Sequence, residues 1–205
     1  MDITTLIADR TLLSHPFYRR WEDGLLIDGE LASYAAQYRF FEAQLPSFLS
    51  ALTSMVEGDA KTLVEANLAD EVDGPTTHLE LFDRFAAAVA APAEEISPAM
   101  KALVAVYADA IASGDADFAL GVLAGYEVQA SEVADTKGAG LSEHYGVSGE
   151  GLEFWHIHAE LEKDHAAWVL EAAEAAESDR VIAGAHASSA AWWAYLDERE
   201  ALVAA

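Results

Sequence analysis

The sequence contains no cysteine, which removes disulfides, thiolate metal ligands, iron–sulfur clusters and any thiol nucleophile together. A bound metal would have to sit on histidine and carboxylate. Positive charge is scarce too: four lysines and seven arginines stand against 36 acidic residues, for a formal net charge of −25. Such a chain repels the phosphate backbone, so no nucleic-acid partner is expected. No apolar run reaches the roughly 18 residues of a membrane span, and the opening "MDITTLIADR" has neither the basic region nor the cleavage site of a secretory signal. The expectation is a cytoplasmic protein with no membrane partner. An acidic, lysine-poor, alanine-rich surface also suits concentrated salt, where screening removes self-repulsion. A halophilic cytoplasm is therefore expected, although an ordinary acidic protein from a GC-rich genome would share this composition.

What the chain has is helix-forming sequence. With 205 residues and 53% hydrophobic content, it can build one core, and a single domain over 1–205 is expected. From Glu30 to Leu52, the residues Leu31, Tyr34, Tyr38, Phe41, Leu45, Phe48 and Leu52 step by threes and fours, the signature of one buried stripe. Shorter helices are expected over Lys61–Asp70, Thr77–Ala90 and Pro98–Ala112. Longer ones follow near Asp115–Lys137, Gly149–Ala176 and Asp179–Leu202, separated by "DGP", "APAEEISP", Ser113-Gly114 and "KGAG". No β-branched alternation argues for a sheet. The fold class is all-α, a bundle of seven or eight helices.

Within "FWHIHAELEKDHAAW", His158, Glu162 and His165 fall at i, i+4 and i+7, inside an arc of about 60° on one helix face. Two imidazoles and a carboxylate on one face can be core histidines among chance acids, or metal ligands. Metal-binding bundles supply further ligands from other helices, and two more places qualify. In "NLADEVDGPTTHLELF", Glu71 ends one helix, Gly74-Pro75 forces a break, and Thr77 with Glu80 forms a capping box that opens the next. His78 then sits in the first turn, so Glu71 and His78 flank a corner. In "LAGYEVQASEVADTK", Glu127 lies among Leu123, Ala124, Val128 and Ala130, where an unpaired carboxylate is costly to bury. Each of these residues also has an ordinary reading as a surface or capping group.

The pattern Glu71, six residues, His78, then "GYE" with Glu127, then His158, Glu162 and His165 resembles the ligand set of the heme-oxygenase-like di-metal oxidases. The opening "LLSHPFYRRWEDGLL" and "YAAQYRFFEAQLPSFLSAL" are similar to the first helices of that superfamily, so the likeness spans nearly the whole chain. Within it, the sequence looks most like the para-aminobenzoate synthases typified by the chlamydial death-domain-associated protein.

The resemblance implies a heme-oxygenase-like bundle, often dimeric, so that a homodimer is one expectation. It also implies two metal ions, iron with iron or iron with manganese, on Glu71, His78, Glu127, His158, Glu162 and His165. Molecular oxygen would be the co-substrate, with an external reductant. It further implies that the enzyme consumes its own side chains to make para-aminobenzoate for folate. Tyr18 of "HPFYRRW" matches the ring donor, Tyr34 a second tyrosine at the site, and Lys137 the nitrogen donor. The same residues have commoner fates, Tyr18 and Tyr34 as core aromatics and Lys137 as a cation at a helix C-terminus. The sequence departs from the family at Glu162, where aspartate is frequent. An ideal helix would also carry Lys137 about 15 Å along its axis from Glu127, so reaching the metals would require that helix to bend or to end before "KGAG". Two other readings stay open: an oxygenase of the same scaffold acting on a separate small amino or fatty acid, and a metal-free helical interaction protein.

Overall fold

The computed structural model describes residues 7–27, 29–176 and 178–202, and among these the side chains of 8, 161–166, 168 and 172–176 lie outside the description. All regular structure among the described residues is helical. Nine α-helices run in order: α1 Pro16–Glu22, α2 Glu30–Glu42, α3 Leu45–Thr53, α4 Gly58–Val72, α5 His78–Ala88, α6 Pro98–Ala112, α7 Ala116–His144, α8 Glu153–Ala176 and α9 Asp179–Ala201. The all-α bundle read from periodicity is what forms. The count exceeds eight because the segment 30–52, expected as one helix, splits between Glu42 and Leu45, where Pro46 enters the first turn of α3. Proline lacks the N–H that an unbroken helix would use there.

The 29-residue α7 is the axis of the bundle, packing along its length against α8 and α9. Glycines make the α7–α9 crossing close: a Cβ at Gly121 would lie 2.0 Å from the Val181 carbonyl oxygen, and one at Gly184 2.1 Å from that of Phe118. The expected stop at "KGAG" does not occur, and the helix continues through it to His144. Gly140 serves packing instead, since a Cβ there would meet the Trp21 ring at 2.9 Å.

Trp21 in turn donates its indole N–H to the Lys137 carbonyl oxygen at 3.2 Å, tying the short α1 to α7. His15 caps α1, its Nδ1 accepting the Phe17 N–H at 3.1 Å. Through these contacts α1 brings Tyr18, 1% exposed, against the middle of the bundle. The core is unusually aromatic where α2 meets it: Tyr38 stacks on Phe82 with centroids 5.3 Å apart, and Tyr126 stacks on Trp192 at 4.6 Å.

Candidate active site

The corner between α4 and α5 forms as the local sequence dictates. Gly74 takes φ 135°, a conformation that favours glycine. Thr77 then caps α5, accepting the Glu80 N–H at 3.3 Å, while the Glu80 carboxylate accepts the Thr77 N–H at 2.8 Å. This turn carries Glu71 and His78 inward, 3% and 4% exposed. His78 Nδ1 lies 3.0 Å from Glu71 Oε1, yet the two are not aligned as a hydrogen bond. Both are aimed at common space.

His158 of α8 joins them, its ring centroid 4.4 Å from that of His78. Its Nδ1 donates to the Phe154 carbonyl oxygen at 2.8 Å, which fixes the tautomer and turns Nε2 into the lone-pair nitrogen. One donor atom each from Glu71, His78 and His158 falls within 4.8 Å of the other two. With metal–ligand bonds of about 2.1 Å, atoms on one ion stand at most about 4.2 Å apart, so small side-chain adjustments close this group on a cation. The donors are buried imidazole and carboxylate with no thiolate, the chemistry that suits iron or manganese.

Glu127 is buried in the middle of α7, 2% exposed, outside that group of three, and its charge is felt by Glu42 and Tyr107. Glu162 and His165, expected to complete the set, lie outside the described residues.

A second cluster gathers around Lys137. The unbroken α7 keeps Lys137 about 15 Å along the axis from Glu127 and delivers it to the tyrosines. Its Nζ donates to the Tyr34 hydroxyl at 2.7 Å, and the Tyr34 and Tyr18 hydroxyls are themselves 2.7 Å apart. The ammonium position is 4.6–5.2 Å from the ring centroids of Trp155, Tyr18, Tyr38 and Tyr34. Among the described residues no carboxylate forms an ion pair with it. Burial holds the Lys137 amine well below the usual lysine range, opposed by the charge of Glu42. Burial likewise raises Tyr18 and Tyr34 above the usual phenol range, so both stay protonated.

Two buried polar residues were not singled out from the sequence. Glu42 is 3% exposed, and its Oε2 has no hydrogen-bond partner among the described residues, while the Tyr38 hydroxyl one turn earlier pairs with that of Tyr126. Asn67, one turn before Glu71 on α4, is 2% exposed, and neither amide atom has a hydrogen-bond partner among the described residues. The signal for Glu42 was present, since it follows Tyr38 by four residues on the apolar stripe of α2 and should have read as a carboxylate facing the core.

The chain is similar to known proteins over most of its length. The 4-aminobenzoate synthase of Chlamydia pneumoniae is 32% identical over 166 residues, spanning 78% of this chain and 74% of the relative. That of Nitrosomonas europaea is 29% identical over 216 residues, spanning 95% and 88%. A protein from Shewanella denitrificans with a heme oxygenase-like fold superposes with a TM-score of 0.80 at 17% identity, covering 99% of this chain and 94% of its own. A CADD-like protein of unknown function from Nostoc punctiforme gives 0.76 at 20% identity, covering 96% and 94%. The sequence pattern of the iron-containing redox enzymes matches residues 32–196. With that match over most of its length, and a buried nitrogen–oxygen donor group inside a heme-oxygenase-like bundle, the chain belongs to the iron-containing redox enzyme family.

Proposed function

We propose that this chain makes para-aminobenzoate by oxygen-dependent chemistry, taking the ring from its own Tyr18 and the amino nitrogen from Lys137. The reading is supported most by Lys137, a buried amine 2.7 Å from Tyr34 with Tyr18 on the far side of that hydroxyl. Burying an ammonium without a carboxylate costs stability, and such a group persists where it has chemistry to do. The 4-aminobenzoate synthases of Chlamydia and Nitrosomonas, similar over most of their lengths, support the same product.

Glu71, His78, Glu127, His158, Glu162 and His165 would hold two metal ions, iron alone or iron with manganese. When bound, the ions supply oxygen activation and oxidising power, with an external reductant completing the electron balance. The remaining work falls to the chain. The lowered proton affinity of Lys137 favours the uncharged amine, whose lone pair is the nucleophile a new carbon–nitrogen bond requires. Tyr34 holds that nitrogen and the Tyr18 hydroxyl on one oxygen, fixing their separation before reaction. The rings of Tyr18, Tyr34, Tyr38 and Trp155 surround the amine and exclude water from it.

The test is intact-mass and peptide analysis after aerobic incubation with iron and a reductant. The wild-type chain is expected to lose mass at Tyr18 and Lys137 and to release no more than one para-aminobenzoate per chain. Tyr18→Phe and Lys137→Arg should release none while keeping their metal. An unchanged chain that forms product from an added small molecule would overturn self-consumption and leave an oxygenase acting on a free substrate.

A further inference from the structure

The face that α4 turns to the bundle is narrow. Its fully buried residues are Val64, Asn67 and Glu71, spaced i, i+3 and i+7 along one stripe, and the helix packs against α3, α5 and α8, the last of which carries His158. Val64 is the apolar residue such a stripe calls for, and Glu71 belongs to the candidate metal group. Asn67, 2% exposed between them, fits neither description.

Neither Nδ2 nor Oδ1 of Asn67 has a hydrogen-bond partner, and among the described residues no other buried side chain leaves a donor and an acceptor open together. Each open atom has given up the water that solvated it in the unfolded chain and gained nothing in exchange. Asparagine is also a weaker helix former than leucine or alanine. A leucine at 67 would continue the apolar stripe from Val64 and remove these penalties, so neither packing nor helix stability accounts for the amide.

Helix geometry says what the amide is near. Residues four apart are neighbours on a helix surface, with Cβ atoms about 5–6 Å from each other. Side chains lean back toward the helix N-terminus, so that of Glu71 lies over the turn Asn67 occupies. From α5, His78 Nδ1 comes within 3.0 Å of Glu71 Oε1 without the alignment of a hydrogen bond. A buried carboxylate that gives one oxygen to a cation leaves the other in need of a donor. An ammonium or guanidinium in that place would repel the cation. A neutral amide one turn back supplies the donor without that repulsion.

We propose that Asn67 is a positioning residue of the candidate metal centre: its Nδ2 donates to one oxygen of Glu71 and so fixes which oxygen faces the ion. This rests on the metal-centre reading above and deepens it. The two side chains are not hydrogen-bonded in the structure, so the contact would be made as the carboxylate turns onto the ion. Oδ1 is left to accept from water entering the same space.

The test uses the full chain as wild type, Asn67→Leu and Asn67→Ala, each stripped with chelator and shown to be folded by circular dichroism and a melt without metal. Each is then titrated anaerobically with ferrous iron, and separately with manganous ion followed by electron paramagnetic resonance. Both variants are expected to bind the ion on the Glu71 side at least about tenfold less tightly than wild type, in line with the loss of a group that orients a ligand. The resonance of the bound manganous ion should also change, because Glu71 is no longer held in one orientation; a residue that only shapes α4 would leave it as in wild type. If either variant binds both ions within about twofold of wild type with an unchanged resonance, the amide does not orient Glu71 and the proposal falls, any defect of the other variant then coming from added bulk or a void. Should Asn67→Leu fail to fold, Asn67→Ala decides alone by the same outcomes. A wild-type chain that takes up no metal would instead defeat the metal-centre reading itself, a result separable from equal binding by wild type and variants.

Discussion

The two halves of the site are finished to different degrees. Around Lys137 the amine and both phenols have partners within the chain, Nζ on Tyr34 and Tyr34 on Tyr18, with four rings enclosing them, although the buried indole N–H of Trp155 is unpaired among the described residues. Around Glu71 the side chains are equally buried but left short. His78 Nδ1 approaches Glu71 without hydrogen-bond alignment, while Glu42 Oε2 and the Asn67 amide have no hydrogen-bond partner among the described residues. Protein interiors rarely tolerate such atoms unless something is to arrive. The contrast fits the proposed reaction, in which one half would supply the reactants and the other would receive the metal.

The strongest way to break this comparison is to remove a donor from the unfinished half. His78→Ala should cut metal affinity by more than about a hundredfold and abolish product, while the tyrosine–lysine cluster remains folded. Metal analysis beside circular dichroism reads both, and full metal retention would end the assignment of that half. In the finished half, Tyr34→Phe deletes the hydroxyl on which two groups depend. Leaving buried donors unpaired costs about 1–3 kcal/mol, so the chain without metal should unfold at lower denaturant; an unchanged midpoint would mean that the cluster is looser than its 2.7 Å contacts imply.

A finer test uses pH. Lys137 has a lowered proton affinity when folded and an ordinary one when unfolded, so the unfolded chain binds more protons between the depressed value and the ordinary 10.5. Stability from this group therefore rises as pH climbs through that window. Glu42, whose proton affinity is raised by burial and by Glu71, contributes the opposite slope above the ordinary carboxylate value of 4.5. The difference between wild type and Lys137→Met isolates the first effect, and should shrink toward alkaline pH below the range where Tyr18, Tyr34 and Tyr38 would ionise. A constant difference would show that Lys137 is not desolvated. The smallest expected effect is at the corner itself: Thr77→Ala removes the cap of α5 and should cost about 0.5–2 kcal/mol, with a modest loss of metal affinity because His78 follows immediately. A thermal melt with metal titration separates the two.

Much of this was legible in the residues. Periodicity marked the buried stripes, and Gly74-Pro75 with the Thr77–Glu80 box located the corner that orients Glu71 and His78. What periodicity reports is which face is buried, and it does not say what that face meets. Lys137 was expected to need a bend or an end in its helix to reach the metals. Instead, α7 runs straight past "KGAG", because Gly138 and Gly140 let Trp155 and Trp21 lie against it, and the lysine meets its tyrosines where α1 and α2 come to it. Pro46 was passed over inside a convincing apolar stripe, although its missing N–H divides α2 from α3. Glu42 escaped notice because charge is so plentiful in this sequence that one more glutamate carried little information until burial singled it out.

Tyr18 fills a space in the bundle and also touches Trp21, Phe17 and Tyr34. On the proposed reaction, its departure opens a void beneath the seven-residue α1 and takes away the neighbour of the Tyr34 hydroxyl. A spent chain would thus carry its own mark of use, an N-terminal segment held less firmly than before and more open to proteases. Supply of the product would then follow the rate at which ribosomes replace the protein, as fuel consumption follows the delivery of matches.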